Sequence, residues 1–208
     1  MKCVIIAASP DFDPVILKKI DLELNDIVIC ADGGYSYAKA VGITVDYLIS
    51  DFDSLEKNEF CSGDTKLIEL SSEKDETDTL AAVKLGLELG YAEFIIYASL
   101  GGRLDHTIAN INTLNFILDK GARGRLVGRD AALEIIKENR TFENMRGKSL
   151  SLFSFHPHIP VVTLKGFKYP LNRYELSMSD SVGISNIIAC DTATIIIERG
   201  RLLVIENF

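Results

Sequence analysis

Between residues 3 and 99 five short, β-rich apolar runs recur: CVIIAA (3–8), IVICAD (27–32), YLIS (47–50), KLIEL (66–70) and FIIYAS (94–99). Strands this uniformly apolar are buried on both faces, which is the condition of a parallel sheet covered by helices. The segments between them carry helix-period apolar residues. The clearest is TDTLAAVKLGLELG, where Leu80, Val83 and Leu87 share a face. Alternation of this kind specifies a doubly wound α/β domain, whose ligands meet the carboxyl ends of the strands.

After about residue 125 the texture changes. LEIIKE, SLSLFSF, VVTLKGF, NIIACD, ATIIIE and RLLVIEN follow one another without a helix between them. ATIIIE and RLLVIEN flank RGR, which reads as a hairpin turn. Successive strands without crossovers form antiparallel layers, here a sandwich or barrel of about 80 residues, enough for its own core. The expected organisation is an N-terminal, mostly parallel α/β domain over residues 1–125 and a C-terminal all-β antiparallel sandwich domain over residues 126–208.

Composition removes several function classes. The chain has 208 residues and a formal net charge of −8, so nucleic acid is not an expected partner, because a phosphate backbone needs a basic face. An acidic protein suits a cationic ligand, or an anionic one carried by a metal. No apolar run approaches the roughly 20 residues that span a bilayer. MKCVIIAASPDFD reads as a buried first strand ending in an acidic loop rather than as a signal segment, so the expected location is cytoplasmic and no membrane partner is expected. Cys3, Cys30, Cys61 and Cys190 are scattered, without metal-ligand spacing.

Four polar clusters follow strand ends: ADGGYS (31–36), SDFDS (50–54), SSEKDETD (71–78) and SLGGRLDH (99–106). In a parallel sheet all four lie along one edge. Asp32, Gly33 and Gly34 suit a tight turn. Asp51 and Asp53, two residues apart, point to the same side of a strand end and repel each other unless a cation lies between them. They serve as helix caps or as metal ligands. Asp75 or Thr77 is an N-cap or a catalytic group on equal terms. Arg103 at a helix start opposes the helix dipole unless an anion is bound there. Joined, the clusters describe a phosphate site. Mg²⁺ takes oxygen ligands from one or two carboxylates and from substrate phosphates. The glycine loops offer backbone N–H groups to phosphate, and Arg103 offers a bidentate contact. No GxxxxGK[ST] is present, so this is not a P-loop.

ADGG, DFDS, KDETD, GGRLDH and GISN (183–186) stand in the order and approximate spacing of the thiamine pyrophosphokinases, and the chain resembles that family over its full length. The resemblance implies transfer of a diphosphate from ATP to the hydroxyethyl group of thiamine, giving thiamine diphosphate and AMP. It implies Mg²⁺ as cofactor and a homodimer with thiamine near the interface. By the same resemblance Asp51 and Asp53 are the metal pair, with Asp32 and Asp75 close to the same ion and phosphates. Thr77 and Asp78 stand where ATP meets thiamine. Gly101, Gly102, Arg103 and His106 are the second glycine loop, and Ser185 and Asn186 hold the aminopyrimidine. Asp78 or Asp75 is the candidate acceptor for the hydroxyl proton, and the mechanism is in-line attack on the β-phosphorus.

Two features depart from the family pattern. Position 50 is Ser where relatives usually carry Gly, and the chain has no Trp. Tyr169, Tyr174 and Met178 are the residues available to contact thiamine instead, or else belong to an ordinary exposed loop. His156 and His158, around a proline, read as a surface turn. Other readings of DxD are a haloacid-dehalogenase-like phosphatase with a nucleophilic aspartate and a metal-dependent glycosyltransferase. A pyrophosphokinase acting on a pterin and a non-enzymatic ligand-sensing module complete the alternatives.

Overall fold

The structure, a computed structural model, describes residues 1–51, 64–70, 76–155 and 158–208. The chain divides into two compact units, Met1–Arg129 and Asp130–Phe208.

The first unit is built on six parallel strands: β1 (Cys3–Ile6), β2 (Ile27–Ala31), β3 (Tyr47–Ser50), β4 (Lys66–Glu69), β5 (Glu93–Tyr97) and β6 (Arg123–Val127). Their order is β6-β5-β1-β2-β3-β4, every neighbouring pair parallel. The chain therefore runs outward from β1 to β4, returns to β5 on the other side of β1, and continues to β6. The reversal between β1 and β5 is a topological switch point, where loops leave in opposite directions and open a crevice.

Three helices, α1 (Gly34–Val41), α2 (Asp78–Glu88) and α3 (Leu104–Asp119), join a 3-10 helix at Pro14–Lys19. Strand alternation assigns them to faces. Val4, Ile6, Val28, Cys30 and Leu48 pack with Leu17 of the 3-10 helix and with Tyr35 and Ala38 of α1 in one buried cluster. Cys3, whose side chain points the other way, faces α2: a Cβ built on Gly86 would lie 3.0 Å from Cys3 Sγ and 2.6 Å from the Phe94 ring. Burial pushes the Cys3 thiol up to about 12, so it stays a neutral core group. The face of α2 differs from the one expected. Thr79, Ala82, Val83 and Gly86 are its buried stripe, while Leu80 and Leu87 flank it half-buried. Small residues let the helix approach the sheet closely, so the larger leucines are displaced to the sides.

The second unit is two antiparallel sheets. One has the order β12-β9-β14-β7, from Asn186–Ile187, Ser149–Phe155, Arg201–Asn207 and Ala131–Ile136. The other has the order β11-β10-β13-β8, from Leu171–Glu175, Val161–Lys165, Thr192–Arg199 and Arg140–Glu143. Leu150, Leu152, Leu202 and Val204 of the first sheet and Val162, Leu164 and Ile195 of the second share one core cluster, which makes the unit a sandwich. RGR is not a hairpin turn within one ladder. Strand β13 pairs with β10 and β8, whereas β14 pairs with β7 and β9. The turn thus carries the chain from one sheet to the other. Gly200 makes this corner at φ 84°, with Pro160 packed so closely that a Cβ would lie 2.6 Å from its Cα.

Candidate active site

A cleft of about 470 Å³ opens at the switch point of the first unit. Its floor is small: Ala7 and Ala8 after β1, Ala31 ending β2, and Ala98 after β5. Around that floor stand Asp32, Glu76, Thr77, Asp78, Arg103, His106 and Asn110, with Ser9, Pro10, Ser99 and Gly101. Six of the expected site residues, Asp32, Thr77, Asp78, Gly101, Arg103 and His106, are therefore brought together from the segments after three different strands, β2, β4 and β5.

Two of the turns that do this are strained. Asp32 and Ala98, directly after β2 and β5, have φ of 50° and 53°, a region that side-chain-bearing residues rarely occupy. Such outliers cost of order 1–3 kcal/mol and persist where the surroundings enforce them. At Asp32 the enforcing contact is an N–H donated to the Ile49 carbonyl at 2.8 Å. At Ala98 it is the carbonyl, which accepts from Ser9 N–H at 2.8 Å.

The ADGG turn opens α1. Gly34 is fixed by packing: a Cβ there would lie 2.0 Å from the Ile6 carbonyl oxygen and 2.7 Å from that of Ala7. The glycine lets α1 start directly over the end of β1, and this turns Asp32 toward the cleft. Gly33 is the N-cap of α1 without a side-chain bond. Ser50, at the end of β3 and fully buried, places its hydroxyl 3.3 Å from Asp32 Oδ1 and donates to it. The residue that departs from the family pattern thus orients the cleft carboxylate.

Thr77 is the N-cap of α2, its Oγ1 accepting the Leu80 N–H at 3.2 Å. Asp78 begins the helix, where its carboxylate complements the dipole. Glu76 is paired with Lys84, nearly two turns into α2.

The glycine loop before α3 has Gly101 at φ 92° and Gly102 at φ 65°. Its Arg103 guanidinium grips the Asp105 carboxylate with two bonds, 2.6 Å from Nη2 and 3.2 Å from Nε. Asp105 also accepts the His106 N–H at 3.0 Å. The arginine, with that N–H, holds the Asp105 carboxyl down to about 2. Both side chains are largely exposed, so Arg103 can exchange this partner for an anion entering the cleft.

Asp51 follows β3, whose neighbour β2 is followed directly by Asp32. Asp53 and Asp75 lie outside the described residues, as does His156. Among the described residues no three His, Cys, Asp or Glu side chains cluster as metal ligands. The donor type nonetheless fits: carboxylates after adjacent parallel strands are the hard oxygen ligands that Mg²⁺ takes.

In the second unit Gly183 lies against β9, where a Cβ would come 2.4 Å from the Leu152 carbonyl oxygen. The Asn186 carboxamide is buried and spent on backbone: Oδ1 accepts from Tyr169 N–H at 3.0 Å, and Nδ2 donates to the Tyr169 carbonyl at 2.7 Å. Ser185 is exposed, at φ 53°, its N–H bonded to Ser151 Oγ at 3.1 Å. Tyr169 and Met178 are exposed, and Tyr174 donates its hydroxyl to Asp180 at 3.3 Å.

Sequence reasoning passed over Ser9, Pro10, Ser99 and Asn110. The signal for the first two was present, since ASPD follows a strand as the other clusters do. Asn110 sits two turns into α3 and donates to the Ser99 carbonyl at 2.8 Å. Nothing in its sequence position marks it.

A crevice at a switch point, ringed by helix starts, carboxylates and an exchangeable arginine, defines a phosphate-handling α/β enzyme. Residues 21–123 match the model of the thiamin pyrophosphokinase catalytic domain, and residues 134–202 match that of the thiamin pyrophosphokinase vitamin B1 binding domain. The protein belongs to the thiamine pyrophosphokinase family. A relative named thiamine pyrophosphokinase from Bacillus subtilis is 28% identical over 162 residues, 76% of each chain. The fold is that of a thiamine pyrophosphokinase crystal structure from Bacillus subtilis, with TM-score 0.88, 24% identity, and 100% of this chain and 99% of that one covered. A Candida albicans thiamin pyrophosphokinase structure aligns with TM-score 0.78 at 19% identity, covering 100% of this chain and 89% of that one. These likenesses do not favour the phosphatase, glycosyltransferase, pterin or sensing alternatives. No helix among the described residues is long and apolar enough to cross a membrane.

Proposed function

We propose that this protein transfers a diphosphate from ATP to the hydroxyl of thiamine, releasing AMP. The observation that carries this reading is the convergence of Asp32, Thr77, Asp78 and Arg103 on one cleft, within the part of the chain that matches the catalytic-domain model.

ATP enters with its phosphates toward Arg103 and the start of α3, and Arg103 leaves Asp105 for phosphate oxygens. Asp51 and Asp32, with Asp53 and Asp75, would hold Mg²⁺. When bound, Mg²⁺ neutralises charge on the phosphate oxygens and so lowers the barrier to attack. The remaining catalysis is positioning: the thiamine hydroxyl is set in line with the bond between the β-phosphorus and the oxygen bridging to the α-phosphorus. The oxygen–β-phosphorus bond forms, the bridging bond breaks with its electron pair going to AMP, and the hydroxyl proton passes to a carboxylate. Asp78 is our choice for that carboxylate, since it lines the cleft at the α2 start. In the second unit Ser185 would meet the aminopyrimidine, and Asn186 would act through the backbone of Tyr169. The working form is a cytoplasmic homodimer, with residues 1–125 catalytic and 126–208 binding thiamine.

Purified protein given Mg·ATP and thiamine is expected to yield AMP and thiamine diphosphate in equal amounts. Asp51→Asn, with unchanged folding by circular dichroism, is expected to lose tenfold or more of that activity, roughly the scale of losing a metal-site group. Wild-type rates in the variant would remove Asp51 from the metal site, and ADP as product would make the enzyme a monophosphate kinase.

A further inference from the structure

The loop after β1 is joined to the glycine loop after β5 by three hydrogen bonds. Ser9 N–H donates to the Ala98 carbonyl at 2.8 Å, and Ser9 Oγ donates to the Leu100 carbonyl at 2.6 Å. The Gly102 N–H donates to Asp11 Oδ2 at 2.5 Å. The two loops are also in van der Waals contact. A Cβ on Gly101 would lie 2.8 Å from Asp11 Oδ2, and one on Gly102 would lie 2.7 Å from Pro10 Cδ. The positive φ of both glycines and the close approach of Pro10 and Asp11 are thus one arrangement: the loop is moulded on the β1 turn.

This bears on how the loop meets phosphate. A glycine loop at a helix start ordinarily offers its N–H groups to an anion. Here the Gly102 N–H is already taken by a carboxylate, in a charge-assisted bond. In the resting loop the Gly102 N–H is thus engaged by Asp11 rather than offered to an anion. The loop serves by shape, fixing the direction in which Arg103, the next residue, leaves for the cleft. We propose that Asp11 is a positioning residue: it holds the glycine loop through Gly102 N–H and so presets Arg103 for the phosphates of ATP. This rests on the reading of the cleft as an ATP site.

Asp11→Ala removes the acceptor, and Asp11→Asn keeps an oxygen in its place while removing the charge. The first readout is amide hydrogen exchange at Gly102 in the free enzyme, which requires no ligand. Exchange is expected to rise about tenfold or more in Asp11→Ala, the loss of a charge-assisted bond, and to rise clearly less in Asp11→Asn, which keeps a neutral oxygen acceptor. The second readout is steady-state kinetics. Asp11→Ala is expected to raise KM for ATP about tenfold with KM for thiamine unchanged, and Asp11→Asn to recover most of the loss. Unchanged exchange in Asp11→Ala would overturn the proposal. So would equal KM effects of the two variants, or tighter ATP binding in Asp11→Ala, which would make the carboxylate a competitor of phosphate. A wild-type enzyme that binds no ATP would instead defeat the reading of the cleft, and with it the role given to Asp11, while the exchange result would still report the clasp.

Discussion

Asp105 and Arg103 show how a single pair sets the resting state of the cleft. The carboxyl is held to about 2, against roughly 3.9 for an ordinary aspartate. A carboxyl depressed in this way adds stability that is present in full above the unfolded value and is lost as pH falls through about 2. A ¹³C titration of the Asp105 carboxyl is expected to show its midpoint near 2, returning toward the ordinary range in Arg103→Ala. An ordinary midpoint in the wild-type protein would break the pair. Because the pair persists through neutral pH, an incoming phosphate must compete with Asp105 for the guanidinium. The sequence pointed to Arg103 as a residue wanting an anion. It had no means of showing that the anion at rest is the residue two places on. Ser50 was legible only as a departure, and its contact with Asp32 depends on a turn at Asp32 with positive φ, which no residue pattern announces.

At the scale of the element, Thr77 carries two readings at once. It caps α2, and it lines the cleft beside Asp78. Replacing a capping threonine by alanine costs about 1 kcal/mol, whereas serine keeps the hydroxyl. Thr77→Ser is therefore expected to retain stability and activity. Thr77→Ala is expected to lose about 1 kcal/mol in urea denaturation and, at a temperature where it remains fully folded, to lose activity as well. Full activity in folded Thr77→Ala would leave Thr77 a cap and nothing more.

The elements themselves were legible where burial was two-sided. YLIS, SLSLFSF and RLLVIEN coincide with β3, β9 and β14 residue for residue. Strands β8 and β11 left no apolar run because they are the two edges of their sheet. In RTFE only Phe142 is buried, and in LNRYE no residue is fully buried. An edge strand needs few apolar residues, so periodicity has little to act on. Strand β6 also left no apolar run, with Leu126 its one fully buried residue. The reversed reading of RGR has a different cause. Two strands joined by a glycine turn look the same in sequence whether they pair with each other or with separate sheets.

For the molecule as a whole, the parallel sheet and its switch point account for why residues from 7 to 110 meet in one place. The motif order carried the family and its chemistry, and the family models match the two regions in that order. The cleft's strained turns and the clasp between the β1 and β5 loops came from the fold. The central claim is that the cleft transfers two phosphoryl groups as one unit by attack at the β-phosphorus. Following ATP labelled separately at its α, β and γ phosphorus tests it most directly. The β and γ labels are expected to arrive in thiamine diphosphate in equal amounts while the α label remains in AMP. Transfer of the γ label alone, with the β label left in ADP, would contradict the account.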